Sequence, residues 1–151
     1  MHVSNTPVNV AVRAPAMVGT ILRRLAWENG RTPSHVLHRA LLFTQTAWEQ
    51  MDAGNHVVVT DDGGRRLGNL DARLRFVPER LPARPLPLEL SSKTHALLIA
   101  LMEWRQEEMG VLAWRAAYLI DHVLREMRQG HQVLLLNRWS GVEGWMHPCL
   151  H

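Results

Sequence analysis

Cysteine, lysine and tyrosine each occur once in the 151 residues, and aromatic residues make up only 6% of the chain. Cys149 has no second cysteine to pair with, so an internal disulfide is excluded. No apolar stretch approaches the roughly 20 residues that a membrane-spanning helix requires, and Met1-His2-Val3-Ser4-Asn5 lacks the basic and apolar regions of a signal peptide. A cytoplasmic protein without membrane contact is expected. Glycine-rich phosphate loops, nucleophile elbows, His-Glu-x-x-His segments and paired carboxylates in a plausible cleft are all missing, so neither an enzyme nor a cofactor is expected.

What the chain has instead is a repeat. Shifted by 76 positions it lies on itself without a gap, placing Leu25 on Leu101, Arg39 on Arg115, Ala40 on Ala116, Met51 on Met127, Gly54 on Gly130 and Val57 on Val133. At 46% hydrophobic the whole chain can bury a core. One unit of roughly 55 residues is marginal by itself, so the halves are expected to fold together.

Each unit reads strand, helix, helix, strand. Val8, Val10 and Val12 alternate with polar or small residues, as do Leu86, Leu88 and Leu90, although Pro85 and Pro87 restrict the latter strand to a two-stranded ribbon. Val18, Ile21, Leu22 and Leu25 form a helical stripe matched by Thr94, Leu97, Leu98 and Leu101. Asn29-Gly30 supplies a left-handed stop, and Thr32-Pro33 opens a second helix with Val36, Leu37, Ala40, Leu41, Thr44, Ala47, Trp48 and Met51 on its apolar face. Leu112 to Met127 repeats that face, but Gln106 stands in the place of Gly30 and leaves the second turn less defined. Val57-Val58-Val59 and Val133-Leu134-Leu135-Leu136 are short apolar runs suited to pairing with each other. The reading is α+β, with β-α-α-β units at 1–61 and 84–151 and a basic connector at 62–83.

In this order of strand, short turn, helix, tight glycine turn and capped helix, the chain resembles the ribbon-helix-helix family. The likeness is carried by Val8-Asn9-Val10-Ala11-Val12-Arg13-Ala14-Pro15, by Leu22 to Leu25, and by Asn29-Gly30-Arg31-Thr32-Pro33-Ser34 with Arg39-Ala40-Leu41. The resemblance implies a ribbon that enters the major groove of double-stranded DNA, and two units in one chain imply an intrachain pseudo-dimer, either monomeric or further paired as a homodimer. Base readout then falls to Asn9, Ala11 and Arg13 on the outer side of the ribbon, since Arg grips guanine and Asn adenine through two hydrogen bonds. Phosphate contact falls to Arg31, Thr32 and Ser34 at the start of the second helix.

The second unit departs from that pattern. Its outward positions are Pro85, Pro87 and Glu89, and Glu107 and Glu108 stand where the first unit has Arg31 and Thr32. Three outcomes fit: asymmetric DNA read through one half, two chains joining their first units, or a fold turned to binding another protein. Charge is mildly basic at +3, and of 17 basic residues only Lys93 is lysine. The connector concentrates arginine, and Arg65 and Arg66 are candidates for the DNA backbone or for a solvated linker. His147, Cys149 and His151 are soft ligand types at spacing two on a Trp-rich tail, short of the scaffold a structural zinc site needs, so no metal is assigned. His35, His38, His95 and His122 read as surface or partner-facing residues, and Trp139 and Trp145 as a cover for the last strand or for a partner.

Overall fold

The computed structural model describes residues 6–150. Residues 1–5, on which the leader reading rests, and His151, one of the candidate ligands, lie outside the described residues. The element order is β1 (Val8–Val12), α1 (Ala16–Asn29), α2 (Pro33–Asp52), β2 (His56–Thr60), β3 (Arg66–Asn69), α3 (Asp71–Leu74), β4 (Leu86–Leu90), α4 (Ser92–Arg105), α5 (Met109–Arg128), β5 (Gln132–Leu136) and β6 (Val142–Met146). No helix among the described residues is long and apolar enough to cross a membrane.

Alternation along β1 and β4 is resolved as the pattern demands. The two strands pair antiparallel as an isolated ribbon, Val8 opposite Leu90, Val10 opposite Leu88 and Val12 opposite Leu86. Val12, Leu88 and Leu90 are buried against the helices, while Asn9, Ala11, Pro87 and Glu89 are exposed. Pro87 survives here because a two-stranded ribbon leaves one hydrogen-bonding edge of each strand unpaired.

The helices begin and end where local chemistry places them. The Thr32 side chain accepts a hydrogen bond from the His35 N–H, and the Ser91 side chain does the same for Thr94. Gly30 closes α1 at φ 62°, and its counterpart Gln106 closes α4 at φ 55°. The left-handed turn is therefore retained without glycine, at a cost of roughly 1 kcal/mol for a side chain in that region. Gln106 recovers a hydrogen bond from its Nε2 to the Glu103 carbonyl at 2.7 Å. Between the units, α2 packs on α5 with Ala40 and Ala116 fully buried, so that two long helices form the centre of the core.

A second, four-stranded antiparallel sheet has the order β3-β2-β5-β6. The expected pairing of the two apolar runs is its central ladder, with Val58 opposite Leu134. The repeat extends further than the four expected elements: α1 and α4, α2 and α5, β2 and β5, and β3 and β6 all begin 76 residues apart. The ribbon strands do not keep that spacing. Val8 and Leu86 are 78 residues apart, because three residues separate β1 from α1 and one separates β4 from α4. The gapless alignment thus holds from the first helix onward and fails at the ribbon. Both inter-unit pairings are nevertheless centred on repeat-equivalent residues, Val10 with Leu88 and Val58 with Leu134.

The segment expected as a connector is largely built into the fold. Its β3 extends the sheet, Leu70 before α3 and Leu74 at its end are each 1% exposed, and the Leu70 N–H donates to the Val57 carbonyl at 2.8 Å. Trp48 Nε1 donates to the Leu74 carbonyl at 3.0 Å, and buried Arg115 donates from Nε to the Phe76 carbonyl at 3.1 Å. Arg115 also holds Glu107, with Nη2 3.0 Å from its Oε1. Arg105 stacks over the Trp48 and Trp104 rings at 4.7 and 4.0 Å. Trp145, read as part of a tail, lies on β6 and leaves its side chain 74% exposed instead of covering the sheet.

Candidate nucleic-acid interface

The ribbon's outer face is a row of short side chains. Asn9 stands opposite Glu89 and Ala11 opposite Pro87. Arg13, exposed, follows β1 directly. Its backbone is approached by Gly110 in the first turn of α5: a Cβ there would lie 2.8 Å from the Arg13 nitrogen. Only glycine allows that approach.

At the opposite end of the ribbon the first turns of α2 and α4 meet. Ser34, equivalent to Gly110 in the repeat, is buried, accepts from the Ser91 N–H at 2.8 Å and donates to Thr94 Oγ1 at 3.1 Å. Thr94 Oγ1 in turn donates to the Ser34 carbonyl at 3.3 Å and lies 3.2 Å from His38 Nδ1. The Ser34 hydroxyl, expected at a phosphate, gives its hydrogen to Thr94 and so fastens the two units, while the residue still borders the cavities on either side. Thr32 is exposed, but its oxygen already caps the helix. Arg31 beside it is exposed.

Two cavities flank this junction. One of about 480 Å³ runs between β4, α1 and the start of α2, bordered by Arg23, Thr32, Glu89 and Ser91. The other, about 370 Å³, is bordered by Thr32, His35, His38, Arg39 and Lys93 and has no carboxylate in its lining. Burial, then Arg31 and Arg39, lower the His35 pKa, while burial, Arg39, Lys93 and His35 lower that of His38. Both imidazoles are held toward the neutral form by burial first and then by neighbouring positive charge, and that charge suits the site to an anion.

The equivalent end of α5 is chemically different. Glu108 occupies the N-cap without a side-chain hydrogen bond, and Glu107 is taken up by Arg115. The Glu107 carboxylate is paired with a buried guanidinium within the fold. Arg65 and Arg66 lie at the β2–β3 turn and on β3, in the four-stranded sheet, and are not brought together with the ribbon residues. His147 and Cys149 are linked by a 2.9 Å hydrogen bond from the Cys149 N–H to His147 Nδ1, and no group of three metal-ligating side chains gathers among the described residues.

Sequence reasoning left Lys93, His35, His38 and Arg39 out of the site. Their signal is present in hindsight: His35, His38 and Arg39 share one face of α2 at helical spacing, and Lys93 is the only lysine. What it could not supply is the meeting of α2 with α4. The chain matches no known family model, no curated protein and no solved structure.

Proposed function

We propose that this chain is a cytoplasmic, sequence-specific DNA-binding regulator or accessory factor, a ribbon-helix-helix-like pseudo-dimer that lays the β1–β4 ribbon in the major groove. The observation that carries the reading is the ribbon itself: two antiparallel strands from repeated units, apolar side to the helices, with Asn9 and Ala11 projecting outward and Arg13 following them. Asn9 and Arg13 offer the donors that read adenine and guanine. Arg31, Lys93 and the carboxylate-free cavity at the start of α2 supply phosphate contact at one end. The start of α5, with Glu107 and Glu108, lacks that equipment, so the reading is of asymmetric DNA engaged mainly at the α2 end of the ribbon.

The test is binding of the full chain to random and selected duplexes over a salt series. Affinity should fall steeply with salt. Arg13→Ala should cost about 1–3 kcal/mol and relax preference, whereas Arg31→Ala should weaken all duplexes alike and flatten the salt slope by about one unit. Burial and the neighbouring cations hold the unbound His35 and His38 below the usual 6.5, and phosphate beside them favours protonation, so affinity should rise as pH falls into and below that range. Absence of salt-dependent binding at low ionic strength rejects the reading.

A protein-interaction module is the second reading, favoured by a different observation. Trp139, Trp145 and Val142 at the β6 side of the four-stranded sheet are 78%, 74% and 61% exposed. Loss of a protein complex on changing Trp139 or Trp145, with Arg13→Ala silent toward DNA, would select it.

A further inference from the structure

A second cluster of charge lies where α1, α3 and α5 meet, and it shares no lining residue with the cavities beside the ribbon. Here a cavity of about 290 Å³ is bordered by three arginines, Arg24 from α1, Arg73 from α3 and Arg125 from α5. The carboxylate of Asp121, nearly buried, binds both Arg24 and Arg125, the latter at 2.6 Å. The two arginine side chains it holds are 40% and 61% exposed, and each guanidinium has more N–H donors than this carboxylate takes up. The Arg73 side chain is exposed and makes no hydrogen bond or ion pair among the described residues, although its backbone carbonyl accepts from the Phe76 N–H. His122 is kept toward its neutral form, by burial first and then by Arg73. Three guanidinium charges against one carboxylate leave an excess of positive charge in the lining.

Two further carboxylates stand at the margin and are engaged elsewhere. Glu28 binds Arg128 at 2.7 Å and lies 3.9 Å from Arg24 Nε, while Glu126 binds His131 at 2.5 Å and lies 3.8 Å from His122. Met17, Ile21 and Tyr118 give the cavity an apolar side.

The repeat supplies an internal control. Moving 76 positions between halves puts Ala100 for Arg24, Cys149 for Arg73, Gln45 for Asp121, Thr46 for His122 and Glu49 for Arg125. The packing of α1 on α5 recurs as α4 on α2, whereas α3 and the charged set occur in one half, so that helix packing alone does not demand the charges.

We infer that this cavity binds a small phosphate-type dianion, with Arg24 and Arg125 positioned by Asp121 and Arg73 closing over the ligand from α3. Planar guanidinium forks match the oxygens of a phosphoryl group, and the apolar side accepts a small organic portion. The inference stands apart from the DNA reading, since it uses other residues on other elements.

The experiment is a proton–nitrogen NMR titration of the full chain with inorganic phosphate at constant ionic strength. The expected result is saturable shifts centred on Arg73, Tyr118, His122 and Arg125, weakened about tenfold in Arg73→Ala, whose side chain has no hydrogen bond or ion pair to lose, and unchanged in Arg138→Ala at the β5–β6 turn. No saturation by about 50 mM phosphate, equal shifts with chloride, or full binding by Arg73→Ala would overturn it. So would shifts confined to Arg31, His35 and Lys93, or a DNA duplex that moves the Arg73 and Tyr118 signals more strongly than phosphate does.

Discussion

Ser34 and Gly110 hold equivalent places in the repeat and solve the same contact in opposite ways. Each lies in the first turn of a long helix that abuts the chain leaving the ribbon, Ser34 against Ser91 and Gly110 against Arg13. A hydroxyl bridges the gap in one half; in the other the helix comes so close that no Cβ fits. Gly110→Ala should therefore destabilise the fold by about 1–3 kcal/mol, since the obstacle is backbone and cannot swing aside. Because it moves the strand end that carries Arg13, it should also weaken DNA binding beyond its effect on stability. Denaturant titration beside a duplex-binding assay checks both. An alanine variant as stable as the parent would mean that α5 shifts freely against the ribbon.

The elements divide by how much of their stability is local. β1, β4, α1, α2, α5 and the β2–β5 ladder were legible because each combines a clear apolar period with a cap, turn or breaker at its ends. Gln106 obscured the α4–α5 turn only because glycine is the usual signal for a left-handed residue. β3, α3 and β6 were not legible. Arg66-Leu67-Gly68-Asn69 has one apolar residue, Val142-Glu143-Gly144-Trp145-Met146 is interrupted by glycine, and α3 is a single turn. Such segments form because partners already exist, β2 and β5 for the strands and Trp48 and Arg115 for the connector. The connector should consequently behave as core. Leu74→Ala is expected to cost about 2–5 kcal/mol by removing a side chain only 1% exposed, measured as a shift in denaturation midpoint. A solvated linker would give a change near zero, and that result would contradict the packing of α3 against α2.

Across the whole molecule, both sheets depend on joining one unit to the other. β1 has no strand partner within its own half, and β2 finds only the short β3 there. Fragment 1–75 would expose Val12, Val57 and Val59, whose burial is worth about 1.5–3 kcal/mol each, while keeping only the short β2–β3 pairing. It should be unfolded as a monomer. The register adds a specific alternative: because Val10 faces its equivalent Leu88 and Val58 its equivalent Leu134, a second copy of the fragment can offer β1 to β1 and β2 to β2 in the same alignment. Folded fragment should therefore appear only as a dimer, with stability rising with concentration, whereas the intact chain presents the second half at a roughly millimolar effective concentration and melts independently of concentration. Sedimentation and circular dichroism over a concentration series distinguish the cases. A folded monomer of 1–75 would show that one unit closes its own core and that the repeat joins two self-sufficient halves.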